Sequence, residues 1–234
     1  MTVGAIILCR LSSLRLPGKV LKPLQGQQVL LHIVNRLKLV SKLDEIIIAT
    51  STEKSDDQIE EFCKLHDLNC YRGSLLNVAE RFLKCAETFQ LDYAIRINGD
   101  NVLIDVQTIN DMIKLTATNT VGLITNVPGR SFPFGMSVEI LNVSFFDHIF
   151  VHLSDDSRYQ EHVTIYFYEH LEDFESQIQI HKNTKLDSAK GIKLALDTPE
   201  DFELISFIVK KIGKDYPRYE LEDVVRYYYE YLER

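Results

Sequence analysis

The chain has 234 residues and a formal net charge of −8. This length is normal for one α/β domain with a sizeable core, and the acidic balance argues against a general nucleic-acid binder. The sequence predicts neither a membrane-spanning run nor a secretion signal, so we expect a cytoplasmic protein without a membrane partner. Its four cysteines stand singly without a CxxC pair, which favours reduced thiols over a disulfide framework or a zinc site.

Strand and helix patterns alternate through the first half of the chain. Short apolar runs predict buried strands, and apolar residues three to four positions apart predict amphipathic helices. The predicted strands cover 3–8, 45–50, 68–71 and 93–97, with helices between them at 28–40, 58–65 and 76–89. This order predicts an α/β fold with a mostly parallel central sheet, helices on both faces and right-handed crossovers.

The second half has less regular patterns. They predict a helix that Asp105 caps and that ends at 115, strands at 121–127, 135–141 and 177–181, and helices at 142–151, 159–171, 199–207 and 221–232. We treat 129–190 as a smaller lobe inserted into a single domain over 1–234, because no Gly/Ser-rich or Pro-rich linker precedes it. The last helix carries four tyrosines, which predict a stripe that covers the core or contacts a second copy in a homodimer.

A polar segment follows the first predicted strand directly. Between positions 9 and 19 it carries the cations Arg10, Arg15 and Lys19 together with Ser12, Ser13 and a Pro-Gly turn. Open parallel sheets bind ligands beyond the carboxyl ends of their strands, where this segment begins. Two arginines for forked contacts and one lysine as a mobile charge suit a triphosphate. A solvated basic loop is the alternative interpretation.

Two aspartates follow other apolar runs. Asp100 comes after a predicted strand through Asn98 and Gly99, and the glycine would let the backbone approach a ribose or a phosphate. Asp197 follows the apolar run 192–196 and precedes a helix, so a plain helix cap is its alternative role. We expect each apolar run to be a strand, so that both aspartates are strand-end carboxylates. Two such carboxylates that meet across one crevice repel unless a dication lies between them, and Mg²⁺ prefers such oxygen ligands.

The segment 15–19, with Arg10 and the two serines before it, resembles the amino-terminal motif of the sugar cytidylyltransferases. This family includes the ketodeoxyoctulosonate and acylneuraminate cytidylyltransferases, and the chain most resembles its spore-coat polysaccharide branch. The likeness continues in order through 46–51, 71–78, 96–100, 161–164 and 196–201. It implies the Rossmann-like fold of the nucleotide-diphospho-sugar transferases. It also implies that CMP is transferred from CTP to a hydroxyl of an acidic sugar and that pyrophosphate is released. We expect this hydroxyl to be the anomeric one and the product to serve surface glycan synthesis.

The resemblance also implies roles for individual residues. Arg15 and Lys19 would hold the triphosphate and offset charge on the leaving group, while Asp100 and Asp197 would bind Mg²⁺. The implied nucleotide-binding residues are Leu8, Cys9, Arg10, Ser12, Ser13, Arg72, Gly73, Ser74, Asn77, Asn98 and Gly99. The implied sugar-binding residues are Glu139, Gln160 and His162. Helix capping is the alternative for Ser74 and Asn77, and packing or exposure is the alternative for His162.

The chain departs from the family pattern at the expected sugar side. Where related sequences read Asp-Gly-x-Asp-Val-Glu, residues 134–139 read Phe-Gly-Met-Ser-Val-Glu, so two acids are lost and Glu139 is kept. Val102 also stands where the family has a proline after the Gly-Asp pair. Two further hypotheses therefore stay open. One is an enzyme of the same fold that uses another nucleotide or a sugar phosphate, and the other is a binding homologue that has lost catalysis.

Overall fold

The computed structural model describes residues 1–117, 121–153 and 156–234. The strands are β1 (Val3–Leu8), β2 (Pro23–Leu24), β3 (Gln27–Gln28), β4 (Glu45–Ser51), β5 (Asn69–Gly73), β6 (Tyr93–Asn98), β7 (Leu123–Thr125), β8 (Glu139–Asn142) and β9 (Ile178–Ile180). The helices are α1 (Val29–Leu37), α2 (Asp57–Leu65), α3 (Val78–Thr88), α4 (Val106–Thr116), α5 (Val143–Phe150), α6 (Ser157–Glu161), α7 (Ile165–Glu169), α8 (Pro199–Ile212) and α9 (Leu221–Leu232).

Seven of these strands form one sheet in the order β5-β4-β1-β6-β8-β7-β9. β1 lies in the interior of the sheet and pairs in parallel with β4 and β6, whereas β8 runs antiparallel to both of its neighbours. Helices cover both faces, with separate apolar clusters above and below the sheet. The predicted α/β fold with a mostly parallel sheet is therefore confirmed. Its carboxyl edge carries the ends of β1, β4 and β6, and the antiparallel β8 begins at this edge.

Local sequence explains the well-predicted elements. All six residues of β1 are buried, as expected for a central parallel strand with helices on both faces. The carboxylate of Asp105 accepts a hydrogen bond from the Thr108 backbone and caps α4, as the sequence predicted. Thr198 and Asp201 form a reciprocal capping box, with Pro199 in the first turn, and α8 continues five residues beyond the predicted end.

Three predictions in the second half are corrected. The helix predicted over 159–171 is two short helices, because His162 leaves the helical conformation (φ −110°, ψ 86°), so that α6 ends at Glu161 and α7 starts at Ile165. The strand predicted from 135 begins only at Glu139, because Gly135 turns the chain with φ +94°. A Cβ at Gly135 would lie 2.4 Å from the backbone nitrogen of Ala195, so only glycine allows this close approach.

The third correction concerns the segment before Asp197. Residues 192–196 join no strand of the sheet and make one isolated bridge, between Lys193 and Phe134. Asp197 thus follows an extended segment that lies beside the sheet. This segment is still fixed near the carboxyl edge, because the Leu196 N–H donates to the Asp100 carbonyl over 3.0 Å.

The described part of 129–190 adds β8 and β9 to the sheet and places α5, α6 and α7 at one face. A sugar-binding or dimer-forming role for this segment stays a prediction. In α9, Tyr227, Tyr228 and Tyr231 pack against the apolar cluster on the other face, while Tyr229 is exposed and donates to the Ser188 carbonyl. No helix within the described ranges has both the length and the apolar character needed to cross a membrane.

Candidate active site

A cavity of about 610 Å³ opens at the carboxyl ends of β1 and β6. It receives side chains from the loop after β1, from the end of β6, from α3 and from the segment between α6 and α7. The predicted site residues that line it are Leu8, Cys9, Arg10, Ser12, Ser13, Arg15, Lys19, Asn98, Gly99, Asp100, His162 and Asp197. Residues far apart in the sequence therefore meet where the strand order predicted a ligand site.

The loop after β1 is held in place by both apolar and polar contacts. Leu16 and Val20 are buried in the core and anchor the far end of the loop. Gly18 adopts φ +66° and donates its backbone N–H to the Leu11 carbonyl, which closes the loop on itself. These anchors hold the loop in place, and the side chains of Arg10 and Arg15 line the cavity.

A buried aspartate that sequence reasoning missed fixes the start of this loop. Asp56 is 0% exposed and accepts hydrogen bonds from the Leu11 backbone, from the Thr50 hydroxyl and from both the backbone and hydroxyl of Ser51. Burial by itself raises the pKa of this carboxyl, but the hydrogen bonds outweigh burial and lower the pKa below its ordinary value. The ionised carboxylate therefore ties the cation-bearing loop to the end of β4.

We expect Asp56→Ala to lower the free energy of unfolding by about 2–4 kcal/mol, because several buried donors lose one acceptor. Since the folded pKa lies below the unfolded value, this stabilisation is complete above about pH 4 and is lost as the pH falls through the folded pKa. Urea unfolding of both proteins at pH 7 and pH 3 measures the difference. A difference that stays constant between the two pH values would contradict the ionised assignment.

The two predicted metal-binding acids meet at Lys19. Its ammonium nitrogen lies 3.0 Å from Asp100 Oδ2 and 3.2 Å from Asp197 Oδ1, and it also donates to the Leu196 carbonyl over 2.8 Å. Arg15 approaches the same Asp197 oxygen at 3.1 Å. Two cations and two carboxylates thus form a compact cluster at one end of the cavity. Lys19 is 13% exposed there, whereas Arg15 is 65% exposed and can turn toward a ligand.

Gly99 was expected to make room for a ribose or a phosphate, but it lies against the loop after β1. A Cβ at this position would lie 2.7 Å from the Cys9 side chain and 3.2 Å from the Leu8 carbonyl. Glycine is therefore needed for the close approach of the loop after β1 to the end of β6. The cavity still reaches Gly99, but the tight contact is made by the protein itself and not by a ligand.

The predicted residues at the end of β5 lie apart from the cavity lining. Arg72 turns toward α2, where it pairs with Asp57 at 2.7 Å and Glu60 at 2.9 Å. Ser74 accepts from the Asn77 backbone, and Asn77 caps α3 by accepting from the Glu80 backbone, so both perform the capping alternative. Gly73 packs against the side chains of Tyr71 and Arg81. Nucleotide binding by this group stays a prediction.

The three predicted sugar-side residues are also separated. His162 lines the cavity from the end of α6, and Gln160 lies on α6 outside the lining. Glu139 is 1% exposed and lies behind Arg96, with which it forms a buried ion pair. A direct contact between Glu139 and a ligand in this cavity therefore requires that Arg96 move aside.

Two arginines in the cavity wall were not among the predicted site residues. Arg81 on α3 is 3% exposed, and its pKa is lowered by burial; within the described ranges it has no ion pair, but one terminal nitrogen donates to the Ser74 carbonyl over 2.7 Å. Arg96 lies on β6, two residues before Asn98. The sequence held a signal for Arg81, because it stands three residues after Val78 and four before Cys85 on the inward face of α3. A cation at such a position must find a polar partner or a ligand.

Residues 4–230 match the sequence profile of the cytidylyltransferases, and this match covers almost the whole chain. The chain belongs to the cytidylyltransferase family. It is also 31% identical over 215 residues to the spore coat polysaccharide biosynthesis protein SpsF of Bacillus subtilis, covering 89% of this chain and 87% of that protein. The predicted family and its enzymatic class, nucleotidyltransferase, are thereby confirmed.

Solved structures of cytidylyltransferases have the same fold. A cytidylyltransferase from Leptospira borgpetersenii superposes with a TM-score of 0.91 at 27% identity, covering 100% of this chain and 96% of that one. A CMP:2-keto-3-deoxy-manno-octonic acid synthetase complexed with CTP superposes with a TM-score of 0.68 at 15% identity, covering 90% and 99%. The second match supports the fold alone, and the family membership rests on the sequence profile and on the similarity to SpsF.

Proposed function

We propose that this cytidylyltransferase transfers CMP from CTP to a hydroxyl of an acidic sugar, releases pyrophosphate and supplies a surface glycan pathway. The cluster of Arg15, Lys19, Asp100 and Asp197 at the cavity end is the observation that carries this proposal. Cations beside a carboxylate pair are the groups that a triphosphate and its bound metal ion require. The similarity to SpsF supports the glycan part of the proposal.

The side chains divide the work along the cavity. Lys19 is held by two carboxylates and one carbonyl, so its positive charge already lies at the phosphate end of the cavity. Arg15 is mostly exposed and would close over the pyrophosphate that leaves. Leu8 and Val78 offer apolar surface at the other end, beside Arg81, where a flat base can lie. Arg10 bridges toward Glu161 across the opening, with 3.7 Å between their charged atoms.

The donor set fits Mg²⁺ when a nucleotide is present. Asp100 and Asp197 share one neighbour, Lys19, so their carboxylates converge on one point. No group of three or more histidine, cysteine or acidic side chains in the described ranges is arranged to hold a metal, so phosphate oxygens and water would complete the ligand set. When bound there, Mg²⁺ would neutralise phosphate charge and lower the pKa of the acceptor hydroxyl.

Thermal unfolding with nucleotides tests the cytidine assignment. We expect CTP with Mg²⁺ to raise the Tm clearly more than UTP or GTP at equal concentration, because a ligand that binds the folded state stabilises it. At a nucleotide concentration of one hundred times the Kd, the folded state is stabilised by about 2.7 kcal/mol. Equal shifts for all three nucleotides would contradict the assignment. In a screen of enzymatic activity with CTP, we expect pyrophosphate release with acidic sugars and none with sugar phosphates.

A further inference from the structure

We propose that Arg96 is the residue that binds the anionic group of the sugar acceptor, and that Glu139 is a positioning residue that orients Arg96. This inference rests on the proposed function and adds the residues that select the acceptor class. It also changes the role predicted for Glu139, which is buried behind the cavity wall and not exposed in it.

The first argument is the place of Arg96 in the sheet. The loop of Arg15 and Lys19 leaves from β1, and α3 with Val78 and Arg81 packs mainly against β1, β4 and β5 and touches β6. Arg96 lies on the other side of β1, on β6, directly opposite Glu139 of β8. The groups proposed to bind the nucleotide therefore lie on the side of β1 and α3, and the side of the cavity nearest β8 remains for the acceptor. His162 and Glu161 line the cavity beside Arg96.

The second argument is how rigidly the ion pair is held. One carboxylate oxygen of Glu139 accepts from Arg96, and the other accepts from the hydroxyls of Thr164 and Tyr168, each at 2.5 Å. Tyr168 is in turn hydrogen-bonded to Thr125 at 2.8 Å. Burial raises the pKa of Glu139, but Arg96 and the two hydroxyls outweigh burial and keep the pKa below its ordinary value. An ionised Glu139 therefore holds the guanidinium in one orientation.

The third argument is that Arg96 has donors to spare. Glu139 accepts from one terminal nitrogen, Nη1, whereas the other terminal nitrogen, Nη2, has no hydrogen-bond partner within the described ranges; Nε is buried and also has none. A guanidinium carries five N–H donors in a planar fork that matches the two oxygens of a carboxylate. Arg96 is 16% exposed, and that exposure faces the cavity. A carboxylate on the acceptor can thus pair with a cation that is already oriented.

Glu139 also connects the two parts of the acceptor wall. Thr164 and Tyr168 belong to the segment that follows Glu161 and His162, so one carboxylate fixes both Arg96 and this segment. Loss of the Glu139 charge would therefore release the wall as a unit.

Calorimetric titration tests the inference without turnover. The protein is saturated with the α,β-methylene analogue of CTP and Mg²⁺. It is then titrated with 2-keto-3-deoxy-manno-octonic acid, with N-acetylneuraminate and with the carboxamide of each. We expect the native protein to bind at least one acid about tenfold to a hundredfold more tightly than its carboxamide. Arg96→Lys keeps the charge beside Glu139 but loses the fork, and we expect it to lose most of this preference.

Two further variants separate positioning from folding. Glu139→Gln is expected to lower the preference for acid over amide while the CTP analogue still binds. Arg226→Lys changes an arginine of α9 that pairs with Asp223 on the surface, and it should leave every affinity unchanged. The inference is overturned if no acid binds, if acid and amide bind equally, or if Arg96→Lys keeps the full preference. Binding of an acid through Arg96 without pyrophosphate release from CTP would support the inference and contradict the proposed function.

Discussion

Lys19→Ala is expected to lower kcat/KM for CTP by about a hundredfold to a thousandfold, because the substitution removes a preorganised charge from the phosphate end of the cavity. The ammonium group now lies within 3.2 Å of both Asp100 and Asp197. Without it the two carboxylates repel each other, and the phosphate end loses the more buried of its two cations, Lys19 and Arg15. Steady-state release of pyrophosphate measures the effect, at saturating Mg²⁺ and with the acceptor found in the screen.

Lys22→Ala is the matched control for this prediction. Lys22 lies one turn further along the chain, with its ammonium group 5.9 Å from the ring centre of Phe202 and away from the cavity lining. We expect the Lys22→Ala protein to have the same kcat/KM for CTP as the native protein. Circular dichroism and the Tm of both variants show whether the fold is intact. Native turnover in a folded Lys19→Ala protein would disprove the assignment of the phosphate end.

Asp100→Asn is the second change with a large expected effect. The amide keeps the size of the side chain and an oxygen that can still accept from Lys19, but it removes one of the two negative charges. We expect kcat to fall at least about a hundredfold and the Mg²⁺ concentration for half-maximal activity to rise, since Mg²⁺ prefers charged oxygen ligands. A titration of activity against Mg²⁺ measures both quantities.

Asp111→Asn provides the comparison for the Asp100 variant. Asp111 also pairs with a lysine, Lys114, at 2.7 Å, but this pair lies on the surface of α4. A surface pair of this kind is worth about 1 kcal/mol or less, so neither activity nor the Mg²⁺ requirement should change. If Asp100→Asn and Asp111→Asn behave alike, Asp100 has no special part in the reaction.

The strands nearest the site were predictable because they are buried on both faces. Continuous apolar runs such as 3–8 and 93–97 leave little choice of secondary structure, and polar residues that follow them must lie at the sheet edge. The positions of Arg15, Lys19 and Asp100 at one cavity followed from this rule. Their convergence on a single cluster with Asp197 depended on the resemblance, because residues 192–196 form no strand from which a position could be read.

Side-chain direction was the part that sequence reasoning missed. Arg72 stands at a strand end like the others, yet it turns toward Asp57 and Glu60 on α2 and away from the cavity. Arg81 lies among the buried residues of α3 and Arg96 stands between two isoleucines of β6, and both arginines line the cavity. Whether a cation at a strand end meets a ligand or a neighbouring acid depends on where the next helix packs. The local sequence does not specify that position.

By itself the sequence determined the sheet, the cation-bearing loop after β1 and the family motif, because burial patterns, turn residues and the order of charged residues are local properties. The tertiary structure decided which of those charges meet. It brought Lys19 between Asp100 and Asp197, placed Asp56 under the loop and put Glu139 behind Arg96. Each of these pairs joins residues at least 43 positions apart, so only the packed fold fixes their distances and the low-dielectric surroundings that give the contacts their strength.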